Sequence, residues 1–167
     1  MTRHMSVDMH IATPIPLWLK CGLTAWMTLQ LGRLIAIPLI QAVLAGADSP
    51  VWIYPAVLDV VVAATTPFLL VAIWRMPGSP TWLASWTYFV VSIVDHGSAI
   101  TSTLVVGMPA TFQQMFNLPN DAALRGIMMG PGGQTLIDLV CLALLLVYRD
   151  CFRINRLLVK YQEDSPA

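Results

Sequence analysis

Charge is scarce in this chain. Only 11% of its 167 residues are Asp, Glu, Lys or Arg, where a soluble domain carries roughly a quarter. A large solvated surface is therefore not encoded. Nine basic residues balance nine acidic ones, which removes the basic field that nucleic-acid binding requires. Cysteine is equally sparse. Cys21, Cys141 and Cys151 are the only three, and none falls in a connection on the side opposite the termini, so no structural disulfide is expected there. Their small apolar side chains suit helix packing. Of the three histidines, His4 and His10 precede the apolar tracts and only His96 lies within one, so a haem held by two internal histidines is excluded. Cys-x-x-Cys spacing, a phosphate-binding glycine loop and a serine-nucleophile elbow are all absent. No cofactor is expected and no catalytic residue is identified. Met1, Met5 and Met9 beside His4 and His10, and Met108, Met115, Met128 and Met129 further on, offer soft donors. Their spacing specifies no coordination geometry, so no metal is expected.

What the chain has in abundance is hydrophobic length. The hydrophobic class makes up 57% of the residues, gathered into tracts with short polar punctuation. Four tracts approach the roughly 20 residues needed to cross a bilayer: 21–45, 51–74, 81–106 and the shorter 133–148. The run that starts near Leu17 exceeds a signal-peptide core and carries no cleavage sequence, so it reads as a span. The expected fold is an all-α integral membrane protein, a four-transmembrane up-down helical bundle. Residues 1–20 form an N-terminal segment, 21–148 the transmembrane domain, and 149–167 a tail.

An even number of crossings puts both termini and the 75–80 connection on one side. That side carries Arg3, Lys20, Arg75, Arg149, Arg153, Arg156 and Lys160, and the other only Arg125. Seven against one predicts an N-in, C-in topology, in what we expect to be the bacterial cytoplasmic membrane. Trp18, Trp74, Trp82 and Tyr148 fall at the expected cytoplasmic interface, Trp52 and Tyr54 at the other.

The connections 46–50 and 75–80 are built from Gly, Pro, Ser and Asp, so consecutive helices pack antiparallel. Pro38 and Pro67 lie inside spans and each removes a backbone donor. The longer external-side loop, about 107–132, holds Phe112, Met115 and Phe116 at helical spacing, which predicts a short surface helix acting as a lid; a gate or a docking surface is the alternative. Asn120 is placed to cap a further turn with Leu124, Ile127 and Met128. In the tail, Arg149 to Lys160 alternates with Phe152, Ile154, Leu157 and Leu158, a basic amphipathic pattern suited to anionic headgroups.

The informative residues are those the bilayer should exclude. Arg33, Asp59, Asp95 and Asp138 place an ionisable group on every span, and His96 adds a titratable one. Periodicity predicts that they face inward: Gln30, Arg33 and Gln41 on the first helix, Asp59 and Thr66 on the second, Ser85, Ser92, Asp95, Ser98 and Ser102 on the third, and Gln134, Asp138 and Cys141 on the fourth. A 1.5 Å rise sets Asp59 about 12 Å from Val51 and Asp138 about 8 Å from Gly133, in the external half, with Arg33, Asp95 and His96 nearer the midplane. One arginine faces three carboxylates, so a close Arg33–Asp95 pair is expected. The excess charge calls for a proton, a cation, water or another subunit.

The leading functional reading is therefore a polar pathway or binding site for a small solute, ion or proton, formed by Arg33, Asp59, Asp95, His96 and Asp138. Gln30, Thr66, Ser92, Ser98 and Gln134 support it. A second reading is a non-catalytic subunit that uses buried charge to assemble a larger complex or a homo-oligomer. A third is an intramembrane enzyme acting on a lipid or quinone-like substrate, although Asp95 and His96 point about 100° apart on a helix, so adjacency alone makes no dyad. Membrane lipids are partners in every case.

Overall fold

The computed structural model describes residues 14–117, 126 and 128–152. The expected turn around Asn120 and Leu124, the Arg125 position, Ile127 and the tail beyond Phe152 lie outside the described residues, as do the side chains of Met128 and Met129. The described chain is helical, with no strand. Its elements are α1 (Leu17–Leu29), a 3-10 segment (Gln30–Ile35), α2 (Ala36–Leu44), α3 (Ile53–Arg75), α4 (Ser79–Val106), α5 (Ala110–Phe116) and α6 (Gly133–Val147), the last preceded by a π-turn over Met128–Gly132. Four continuous helical stretches are long and apolar enough to cross a membrane: Leu17–Leu44, Pro50–Arg75, Ser79–Val106 and Gly130–Val147. The protein is a multipass helical membrane protein with an all-α bundle fold.

Breaks and ends follow local chemistry. Pro38 has no N–H and its ring crowds the carbonyl four residues back, at Leu34. The turn just before it is the one that tightens, into the 3-10 segment Gln30–Ile35. Each 3-10 residue turns about 120°, against about 100° in an α-helix. The face is thereby re-indexed, and Gln41, expected inward with Gln30 and Arg33, is exposed. Around Pro67, by contrast, α3 stays continuous; Thr65 and Thr66 turn their hydroxyls back onto the Val61 and Val62 carbonyls, each at 3.0 Å.

Gly46, at φ 75°, ends α2. Its N–H donates to the Val43 carbonyl and the next N–H, of Ala47, to that of Ala42, the paired bonds of a Schellman cap. Gly107, at φ 81°, closes α4. Pro80 lies in the first turn of α4, where the missing donor costs nothing.

Three layers stack along the bundle. At the end carrying the described termini, an apolar core joins Leu19, Leu23 and Met27 of α1 to Leu69 and Ile73 of α3, Phe89 of α4 and Leu145 of α6. At the opposite end a smaller core holds Ala36, Leu39, Trp52 and Ala56, with Phe112 of α5 packed against it. The polar residues form the layer between them. Lipid offers these helices little hydrophobic drive to associate, so close packing and hydrogen bonds hold the bundle together. At the terminal end Trp74 Nε1 donates to Thr24 Oγ1 at 2.8 Å and Trp82 Nε1 to the Leu145 carbonyl at 2.7 Å. Lys20 and Arg149 lie over the Trp74 and Trp82 rings, at 5.5 and 5.1 Å.

The expected surface helix is present as α5, whose first N–H groups have no partner of their own. Asp48, on the 45–52 connection, supplies one: Oδ1 accepts from Ala110 N at 2.7 Å, and Oδ2 from Thr111 N at 3.2 Å and from the Thr111 hydroxyl. A distant carboxylate thus caps the helix. Asp48→Ala should cost about 1 kcal/mol locally and raise hydrogen exchange at residues 110–116 selectively. Unchanged protection of that segment in nanodiscs would show that Asp48 does not hold α5.

Candidate functional site

Arg33 is the centre of the polar layer. It is buried, and its guanidinium has five N–H donors in a rigid fork and no acceptor. Each donor has a place. Nε donates to Gln30 Oε1 at 2.5 Å, one turn back. Nη1 donates to Asp59 Oδ1 at 3.2 Å and to Asp95 Oδ2 at 2.5 Å. Nη2 reaches Ser92 Oγ and His96 Nε2, both at 2.5 Å. The expected Arg33–Asp95 pair is formed, and Asp59 joins it as a second ion pair. Asp95 and His96, though adjacent, do not bond one another; they take the two ends of the same guanidinium.

A second branch runs to the fourth span. Ser92 Oγ accepts from Arg33 and donates to Asp138 Oδ2 at 2.5 Å. Trp26 Nε1 donates to the other oxygen, Asp138 Oδ1, at 2.7 Å. Because a guanidinium only donates, His96 Nε2 must accept, which leaves the ring proton on Nδ1. Nδ1 faces Asp138 Oδ2 at 3.5 Å. Gln134 Oε1 lies 2.8 Å from the same Nε2; with that nitrogen accepting from Arg33, the amide satisfies the contact when turned to present its N–H. All four spans are tied into one network.

Two of the expected supporting residues sit elsewhere. Thr66 shares a hydrogen bond with Tyr88 Oη at 2.8 Å, and Ser98 Oγ donates to the Asp95 carbonyl at 2.7 Å; neither touches a charged side chain of the layer. Trp26 is a member that the hydropathy of the sequence conceals, because tryptophan reads as an interfacial anchor. Its spacing from Gln30 and Arg33, four and seven residues, was the available signal.

Beside this network lies a cavity of about 480 Å³. Its floor is Gln30, Arg33, Asp59, Asp95 and His96. Its roof is Phe112 and Phe116 of α5 with Met108 and Pro109, and Gly130, Pro131 and Gln134 form one edge. Among the described residues, three buried polar atoms of this layer have no hydrogen-bond partner, Asp95 Oδ1, Gln30 Nε2 and His96 Nδ1, the last of them the atom that faces Asp138. Among the described residues no group of three or more His, Cys, Asp or Glu side chains is arranged to hold a metal ion. Comparison of the chain with protein-family models, curated proteins and solved structures gives no match.

Proposed function

We propose that this protein binds a small polar solute, ion or proton in the bundle interior, in the half that α5 covers. The observation that carries the reading is the cavity that ends on Arg33, Asp59, Asp95 and His96. Purely structural charge is normally packed against its partners, without a void at its side. Here the Asp59 carboxyl, 26% exposed, and the Gln134 amide line the void, polar groups that a guest can reach.

Assembly through buried charge is less well supported, because every donor of Arg33 is already used within its own chain. Conduction through the bundle would need a path past Leu23, Met27, Phe89 and Leu145, which pack together between the polar layer and the terminal end. Binding from one side is therefore the form of the reading we favour. The basic residues Lys20, Arg75 and Arg149 near the terminal end support a cytoplasmic placement of that end, with the cavity on the external side.

Ala99 lines the cavity and Ala63 lies in closed packing. With the native cysteines replaced, Ala99→Cys should react with a small polar thiol reagent in folded protein, and Ala63→Cys should not. An Ala99→Cys thiol as inert as the one at position 63 would defeat the binding-site reading.

A further inference from the structure

We infer that the cavity takes a small organic ammonium ion with an apolar body, admitted from the lipid between the first and fourth spans. The inference rests on the binding-site reading and gives that site a ligand class.

The sign of the guest follows from the donors and acceptors. An anion would need a free N–H of Arg33, and all five are engaged by Gln30, Asp59, Asp95, Ser92 and His96. What remains open at the floor is carboxylate. Asp59 and Asp95 share the single Nη1, and Asp59, 26% exposed, lines the cavity. The other polar groups on the wall, the Gln30 and Gln134 amides, offset no charge. Three acid groups, Asp59, Asp95 and Asp138, are gathered about one guanidinium, so two of them need a proton or a further cation as counterion. An ammonium guest supplies that cation in place of a proton, and in a medium of low polarity the pairing is far stronger than in water.

The remaining surface selects the kind of cation. A bare metal ion wants several oxygen ligands, but above Asp59 the wall passes to Trp52, Phe112 and Phe116. Aromatic rings favour ammonium groups and apolar bodies alike. A volume of about 480 Å³ lies within the range of small-molecule sites.

The route is read from the first span. Leu29, Gly32 and Ile35 line the cavity and are also exposed, Leu29 at 69%. A Cβ built on Gly32 meets none of the described residues within 4 Å. Nearer the terminal end the seam between the first and fourth spans is closed by Trp18 against Tyr148, with ring centroids 5.5 Å apart, and by the Trp26–Asp138 bond. The open part of the seam therefore faces lipid, beside Pro131 and Gln134.

The test uses the full chain in phosphatidylcholine nanodiscs, titrated calorimetrically with phenethylammonium against protein-free nanodiscs. Phenylethanol and phenylpropionate serve as neutral and anionic counterparts. Saturable binding of the ammonium alone is expected. Asp59→Asn, at a residue 26% exposed, should weaken it at least tenfold, and Gly32→Leu should block it with the fold intact. Equal binding of phenylpropionate, undiminished binding by Asp59→Asn, or no saturable ammonium binding overturns the assignment. If Ala99→Cys is labelled while phenethylammonium fails to bind, only the ligand class is lost; if Ala99→Cys is inert, the binding-site reading falls as well.

Discussion

Replacement of Arg33 by leucine is expected to destabilise the protein by about 3–5 kcal/mol, the usual cost of removing one partner from a buried charge pair. The size follows from what is left behind. Asp95 and Asp59 each lose an ion pair, and Ser92 and His96 lose the donor that orients them. Lysine should restore only part of the loss, since a single ammonium cannot reach the five positions that the planar fork reaches. The double variant Arg33→Leu with Asp95→Asn should be more stable than Arg33→Leu alone, because one buried charge has been removed with its counterion. Thermal or denaturant unfolding in one fixed detergent measures all four proteins. An Arg33→Leu protein as stable as the parent would show that the ion pairs do not hold the bundle.

Asp138→Ala ranks second, at about 2–4 kcal/mol, from two donors left without an acceptor in a buried site. Asp138 is completely buried and receives both the Ser92 hydroxyl and the Trp26 indole N–H. Asp138→Asn should cost less, since its carbonyl still accepts from Trp26 and only the Ser92 proton is stranded. Trp26→Phe removes a donor without stranding a charge, yet leaves one carboxylate oxygen unpaired. A double-mutant cycle between positions 26 and 138 should therefore show coupling, because both changes break the same bond. Independent, additive losses would mean that the 2.7 Å contact contributes nothing to stability.

These two positions also show how the site divides between sequence and structure. Arg33, Asp59, Asp95 and Asp138 stand out in the sequence because each is costly in lipid, so each had to turn inward whatever the packing. Periodicity sufficed on regular helix for Ser92 and Asp95 of α4, which both meet Arg33; His96, off that stripe, reaches the same guanidinium from beside it. It failed where helix geometry changes, at the 3-10 segment that turns Gln41 outward. It also could not foresee that Thr66 would satisfy its hydroxyl locally, on Tyr88 and Val62, away from the charges.

By itself the sequence determined that the chain is a four-span helical bundle with a charged interior, because hydrophobic length and the cost of burying charge are properties of residues, not of their neighbours. Which oxygen faces which donor was decided only in the tertiary structure. A contact such as Arg33–Asp59 or Trp26–Asp138 depends on the relative height and rotation of separate helices, and these are set jointly by Pro38, by the caps and by packing across the seams. The cavity beside Arg33 belongs to that second class. A void is a property of what fails to meet, and no single segment of the chain encodes it.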